Sequence, residues 1–469
     1  MDSFSGSSRG GFAPRGGRGA RGRGGRAPFL TKTRETNPDL EKHPLGCLIK
    51  EFGSPDLGLN PVDLAKISDC QYVASYNWLN DEVPTIVIPG KPPQWTPLQE
   101  PQRLKEDSGQ YFRDPNAAMY PDYPMAPVVN AVLETDSEFD AARTDVFACG
   151  STLGNLLRFA RGIDKAFRFN VVVIGDTVFF MRKDNDPREV IKDVRGFGHT
   201  FPEAYTTWEH SVKGSETHQR IIRYKFGGFS CLVRFESDGY IPDSSAVTNT
   251  TPANTAVGQG DLFQAFQGAT ISQQPTINKL GSLKIKQGGS PVPQKSIFDL
   301  KTRSGKYKKD IDMSDILPQL WINQIPNFIV AYHDGRGLFE DIRVRDVSDD
   351  VQAWVTDNSD GIRRFATLLD KIVDIARSNS DKLLEVYCPG KEHLEVREQY
   401  GDGAHALPAD LRDGLDGSKD GDGGDISDGD EYYDSDEYGF DNRSDDSSEE
   451  LDYTACSAHD CGYCGKCTY

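Results

Sequence analysis

Between Leu30 and Gly390 the apolar positions fall into two rhythms. A period of two runs through Phe167–Ile174 and Thr177–Arg182 around Gly175-Asp176, and again through Arg220–Phe226 and Ser230–Glu236 around Gly227-Gly228. Alternation on both sides of a two-residue glycine turn predicts two β-hairpins. Further strands are predicted at Ser296–Lys301, Asn327–Tyr332 and, after the Asp334-Gly-Arg-Gly turn, Leu338–Val344. A period near 3.6 starts at Gly150 with Leu153, Leu156 and Leu157, and returns over Gly361–Ala376 with Ile362, Phe365, Leu368, Leu369, Ile372 and Ile375; both predict helices with one apolar face. Interleaved strands and helices give a mixed α/β (α+β) class. Pro84 to Pro101 and Pro115 to Pro127 read as long surface loops, and Pro242 to Pro293, poor in apolar anchors, as a flexible insertion within the domain.

Both ends of the 469-residue chain lack this patterning. The expected organisation is a disordered RGG-rich arm over 1–29, a globular domain over 30–395 with its insertion at about 243–293, a disordered acidic tail over 396–455 and a Cys/His cluster over 456–469. The net charge of −19 is misleading as a guide to partners: Gly401 to Asp452 holds 19 acidic residues against Arg412, Lys419 and Arg443, a net of −16. The rest is nearly balanced and begins strongly basic. In that beginning, Arg9, Arg15, Arg18, Arg21, Arg23 and Arg26 stand among glycines, which leaves each guanidinium free to meet a phosphate or stack on a base. An RNA-binding arm is the functional reading, a solubilising tail the bland one.

Cys47, Cys70, Cys149, Cys231 and Cys388 are scattered singly, as in reduced intracellular proteins. Cys456, His459, Cys461, Cys464 and Cys467 lie within twelve residues, a spacing that can wrap one zinc ion or belong to a redox-labile tail. No apolar run is long enough to span a membrane and no secretory h-region follows Met1, so a soluble protein of nucleus or cytoplasm is expected.

Candidate chemistry lies on two short strands. In Phe235-Glu236-Ser237-Asp238 the two carboxylates are two residues apart and so share a face; in Phe298-Asp299-Leu300-Lys301 the acid and the amine share the face opposite Phe298 and Leu300. If the strands are neighbours, three carboxylates and an ammonium meet. Such a cluster repels itself unless a cation neutralises it, and Mg²⁺ or Mn²⁺ suits hard oxygen ligands. Either motif alone is common in a chain this charged; two solvated strand faces would be the ordinary reading.

Their order along the chain adds weight. From about Asp145 to Val344 the chain resembles the DXO-type (Rai-like) decapping nucleases of the restriction-endonuclease-like PD-(D/E)XK superfamily. Phe147-Ala-Cys-Gly-Ser-Thr-Leu-Gly-Asn-Leu-Leu stands where that family has Thr-Trp-Arg-Gly leading into a helix. Gly198-His-Thr-Phe-Pro-Glu203-Ala-Tyr resembles its Gly-Tyr-Lys-Phe-Glu block. The run from Arg220 to Glu236-Ser-Asp238 resembles the hairpin into its Glu-x-Asp, and Asp299-Leu-Lys301-Thr its Glu-Leu-Lys-Thr. Gln319-Leu-Trp-Ile-Asn-Gln-Ile-Pro falls on the stretch with its site glutamine.

The resemblance implies a restriction-endonuclease-like mixed sheet core with flanking helices. It implies metal binding by Glu203, Glu236, Asp238 and Asp299, with Lys301 and Gln319 completing the site. It further implies a Mg²⁺/Mn²⁺-dependent hydrolase of RNA 5′ ends, which removes NAD-type or incomplete caps or releases pyrophosphate, with 5′–3′ exonuclease action in some members. Two departures stand out: the arginine of the family's first block is replaced by Gly150 or a neighbour, and that of its Gly-Phe-Arg-Asp by His333. Asp299 is also one methylene shorter than the usual Glu. A catalytically weakened relative, serving as an RNA-binding module that partners a 5′–3′ exoribonuclease, is the competing expectation. A DNA-directed nuclease stays open, since phosphodiester hydrolysis does not by itself read the sugar.

Overall fold

The computed structural model describes residues 37–191, 194–242, 276–277, 283–305, 310–390 and 392–415. Among them the strands form two sheets, of twelve and six strands. The larger runs in the order Leu48–Gly53 (β1), His393–Glu398 (β18), Leu384–Gly390 (β17), Phe167–Ile174 (β6), Thr177–Arg182 (β7), Val146–Cys149 (β5), Phe229–Ser237 (β10), Ser215–Phe226 (β9), Ser68–Leu79 (β2), Thr85–Gly90 (β3), Lys284–Gly289 (β13) and Thr276–Ile277 (β12). The smaller runs Phe339–Asp346 (β16), Asn327–His333 (β15), Ile297–Ser304 (β14), Gly239–Tyr240 (β11), Gln94–Trp95 (β4) and Thr206–Thr207 (β8). Parallel and antiparallel pairs are mixed: β10 runs parallel to β5 and antiparallel to β9, while β14 runs parallel to β15. The fold is mixed α/β, as the patterning predicts.

Helices cover both faces of the large sheet. Gly150–Ala160 (α3), Leu317–Asn323 (α5), Ser348–Asp357 (α6) and Ser359–Ser378 (α7) share one core with Ile222, Val233 and Phe180. The buried positions of α7, among them Ile362, Phe365, Leu368, Leu369, Ile372 and Ala376, recur at three and four residues and form one stripe. On the other face Ala126–Thr135 (α2) packs Val128, Val129 and Val132 among Tyr76, Trp78, Phe147 and Leu232. A third cluster, with Phe201, Phe298, Leu300, Ile329 and Phe339, backs the small sheet.

Two expected loops are corrected. Pro84 to Pro101 contains β3, because Ile86, Val87 and Ile88 are β-branched and buried, and Pro89 stands near the strand's end. Pro115 and Pro127 open helices, Pro115–Met119 (α1) and α2, since the first helical turn has no use for the N–H that proline lacks. The expected insertion is also shorter at its end: Lys284–Gly289 pairs in parallel with β3, Ile285 opposite Ile86. Residues 243–275 and 278–282 of that insertion lie outside the described residues, as do the arginine arm and the tail from 416 onward with its Cys/His cluster. The folded part continues past 395, through buried Ala406 and Leu407 to a helix at Ala409–Leu415.

One polar tie crosses the core. The Arg168 guanidinium on β6 reaches Glu385 on β17 at 2.6 and 2.9 Å and also donates to the carbonyls of His43 (2.6 Å) and Pro44 (3.0 Å). Both side chains are almost wholly buried, and Lys183 adds a second cation at 3.2 Å from Glu385. Removing one partner strands a buried charge. Arg168→Met is therefore expected to cost roughly 3–5 kcal/mol, read as a shift of the urea midpoint; an unchanged midpoint would contradict this role.

Candidate active site

Strand β10 ends at Ser237, and the chain passes through Asp238 directly into β11 of the other sheet. Gly239 pairs with Phe298 and Tyr240 with Ile297, so the Glu236–Asp238 segment is laid against the start of β14. A Cβ on Gly239 would overlap the Phe298 ring and the Pro93 carbonyl, which is why the crossing needs glycine. The seam between the sheets thus gathers the two candidate strands.

At that seam the Leu300 backbone N–H donates to Asp238 Oδ2 at 2.7 Å. Asp299 and Lys301 share a face of β14 and pair at 2.9 Å, both largely buried. From α5, Gln319 Nε2 donates to Asp299 Oδ2 at 3.2 Å. Burial, then the Asp299 charge, pushes the Asp238 carboxyl up to about 7, although the Lys301 ammonium and the Leu300 N–H oppose the rise; Glu236 adds a smaller push upward. Four of the predicted residues therefore act on one another through Asp238.

Glu203 comes from Thr200–Tyr205 (α4), whose start is held by Asp107 accepting the N–H groups of His199 (3.0 Å) and Thr200 (2.8 Å). It is exposed, and it faces a cavity of about 130 Å³ that Glu236 and Asp238 also line. Partial burial and the nearby Asp107 raise its pKa. Among the described residues, however, no three His, Cys, Asp or Glu side chains stand close enough to hold a metal ion as they are. Crowding without closure is the observed state.

Glu236 also lines a second, smaller cavity of about 50 Å³, beside Gln319, Asn323, Gly150, Arg113, Arg182 and Arg234. Asp114 lies between Arg182 (3.8 Å) and Arg234 (3.9 Å), and these two guanidiniums hold its carboxyl below the usual range despite burial. Arg234 Nε, Arg113 Nε and Asn323 Oδ1 are buried with no hydrogen-bond partner among the described residues. These arginines were not singled out from the sequence. Arg234 was within reach of the alternation rule, because it precedes Glu236 by two residues on the same strand. A Cβ on Gly150 would collide with the Asn323 carboxamide. His333 is buried against Phe197 (4.7 Å) and accepts the Gly335 N–H on Nδ1 at 3.1 Å, which makes it part of a turn. Arg9, Arg15, Arg18, Arg21, Arg23 and Arg26, and Cys456, His459, Cys461, Cys464 and Cys467, lie outside the described residues.

The family described as "Domain of unknown function (DUF8563)" matches residues 61–413. A search of curated proteins by sequence finds no match. Among solved structures the chain is similar to S. pombe Rai1, with 12% identity, a TM-score of 0.47 and coverage of 74% of this chain and 99% of that one. It is also similar to Candida albicans Rai1 in complex with pU5-Mn²⁺ (8% identity, TM-score 0.42, 77% and 96% covered). K. lactis Dxo1 in complex with manganese gives 9% identity, a TM-score of 0.42 and 76% and 99% covered.

The Asp238 shift fixes a sign. A carboxyl at about 7 in the fold against an ordinary 3.8 binds its proton more tightly when folded. The associated stability is full below about pH 4 and is lost as pH rises through about 7. Asp238→Asn keeps an acceptor for the Leu300 N–H and removes the charge. In metal-free buffer it is expected to raise the thermal midpoint by a few degrees at pH 8 and leave it nearly unchanged at pH 4; equal effects at both pH values would refute the crowding.

Proposed function

We propose that this chain, which belongs to the DUF8563 family, is a divalent-metal-dependent hydrolase acting on the 5′ ends of RNA. The observation that carries the reading is the seam itself, where the Leu300 N–H holds Asp238 at 2.7 Å while the neighbouring residue on β14, Asp299, meets the Lys301 ammonium at 2.9 Å and Gln319 at 3.2 Å. The fit to a cation follows from the donor set. Mg²⁺ keeps most of its waters and needs only one or two carboxylates, so the lack of a ready-made three-ligand cage among the described residues is compatible with it. Asp238 and Asp299 would hold the ion, with Glu236 and Glu203 reaching it directly or through water. When bound, such an ion would polarise a phosphoryl oxygen and acidify a bound water.

The chain's own groups divide the remaining work. Gln319 keeps Asp299 oriented, and the Leu300 N–H does the same for Asp238. Lys301 would orient the attacking water or meet negative charge growing on the phosphoryl group. In the adjoining cavity Arg182 and Arg234 would receive phosphates of a 5′ terminus, and the unused Arg234 Nε and Arg113 Nε donors suit an anion. This supports a 5′-triphosphate or a nucleotide cap such as NAD, cleaved at the phosphate beside Glu236. The arginine-rich arm would add general RNA affinity. Zinc at the terminal cysteines stays an expectation from their spacing alone.

A second reading has its own support. Among the described residues no three acidic, His or Cys side chains close a metal cage as they stand, and Lys301 is already paired with Asp299, as in a weakened relative that binds RNA and partners a 5′–3′ exoribonuclease. One comparison divides the two. With Mn²⁺, wild type is expected to release product from 5′-triphosphate or NAD-capped RNA, and Asp238→Ala to lose activity by on the order of 10²-fold or more. RNA binding without product from any of the triphosphate, NAD-capped or monophosphate substrates would favour the module.

A further inference from the structure

His218 lies on β9, opposite Ser237, and is buried. Its Nδ1 is 2.7 Å from Asn77 Oδ1. The orientation of that carboxamide is fixed by its other bonds. Asn77 Nδ2 donates to the Lys91 carbonyl (2.9 Å) and to Ser215 Oγ (2.8 Å), while Asn77 Oδ1 accepts the Lys91 N–H (3.1 Å). Oδ1 is therefore an acceptor, and His218 Nδ1 must carry the hydrogen. Gly90 permits the arrangement: its φ is +64°, and a Cβ there would overlap Asn77 Oδ1. With Nδ1 protonated and the ring neutral, Nε2 presents a bare lone pair. It has no hydrogen-bond partner among the described residues. Burial and the neighbouring Arg220 guanidinium oppose a second proton, so the ring stays neutral.

This ring lines the cavity that Glu203, Glu216, Glu236 and Asp238 also line. At about 130 Å³ the cavity has room for roughly four waters at ~30 Å³ each. Four carboxylates line it, and the hydroxyls of Thr206 and Ser237 already donate to the carbonyls of Pro202 (2.7 Å) and Gly239 (3.3 Å). A group that meets His218 Nε2 must bring a donor of its own. A bare phosphate brings none; a ribose brings hydroxyls.

We propose that His218 is a specificity-determining residue whose Nε2 accepts a hydrogen bond from a ribose 2′-hydroxyl, so that the cavity selects RNA over DNA. The proposal rests on the hydrolase reading only for placing a nucleotide beside Glu236 and Asp238. A 2′-deoxy or 2′-fluoro sugar would leave a buried acceptor unmet, a loss that ordinarily weakens binding by about tenfold.

The test is binding, so it can be read whether or not the chain cleaves. Fluorescence anisotropy in Ca²⁺ compares a 5′-phosphorylated RNA with its 2′-fluoro twin, which keeps the ribose shape but cannot donate. Wild type is expected to prefer the ribo form by about tenfold, and His218→Phe to bind both within about twofold. Equal binding by wild type, or a preference that survives in His218→Phe, would overturn the proposal. The product assay separately decides the hydrolase reading. Should His218→Phe fail to fold, the ¹⁵N resonance of the unprotonated His218 nitrogen in wild type replaces it. A shift with RNA and not with 2′-fluoro RNA supports the assignment. No shift, or a shift with Mn²⁺-free Zn²⁺ alone that marks the ring as a metal ligand, refutes it.

Discussion

Carboxylates brought together at the edge of a core repel one another, and the junction between the two sheets exists against that repulsion. Asp238 is the pivot. It sits where β10 leaves the large sheet and becomes β11 of the small one, and the Leu300 N–H holds its side chain at 2.7 Å. With the β11–β14 pairing, that bond fixes the carboxylate against the backbone of β14, which carries Asp299 and Lys301. A protein selected for stability alone would place amides or apolar groups at such a junction, as the cost of an ionised group rises with burial. A seam that keeps ionisable groups and pushes a carboxyl up to about 7 has the arrangement expected of a site that binds a cation.

The surroundings divide by chemical character. Glu236 lines both a cavity with guanidiniums and unused donors and a larger cavity lined by four carboxylates. On the proposed reading, phosphates would occupy the first and a ribose the second, with the reacting phosphate between them. The α3 start contributes by what it lacks: Gly150 has no side chain where Asn323 must sit, and the arginines that line the cavity come from β7, β10 and the loop before α1.

Much of this organisation was legible in the sequence where one rule governs one element. Strict alternation located β6, β7, β9 and β10 to within a few residues, and the apolar stripe located α7. The pairing of Glu236 with Asp238, and of Asp299 with Lys301, followed from the same period of two. What escaped depends on partners distant in the chain. β2, β17 and β18 are recognisable only once β9, β6 and β1 are beside them. The Arg168–Glu385 tie spans 217 positions, and no local pattern marks either residue. His218 escaped for a related reason: its character as an acceptor is set by Asn77, 141 residues earlier. Proline misled in two stretches, since it opens helices and ends strands as readily as it makes loops.

The central claim is that one divalent ion belongs at the Asp238–Asp299 seam. Anomalous diffraction from crystals of the full chain grown with Mn²⁺ tests it most directly. The account predicts a single strong peak there, with carboxylate oxygens of both residues at about 2.1–2.3 Å. A structure at useful resolution with saturating Mn²⁺ and no peak at this seam, or with Lys301 still bridging Asp299 and the ion bound elsewhere, would contradict it.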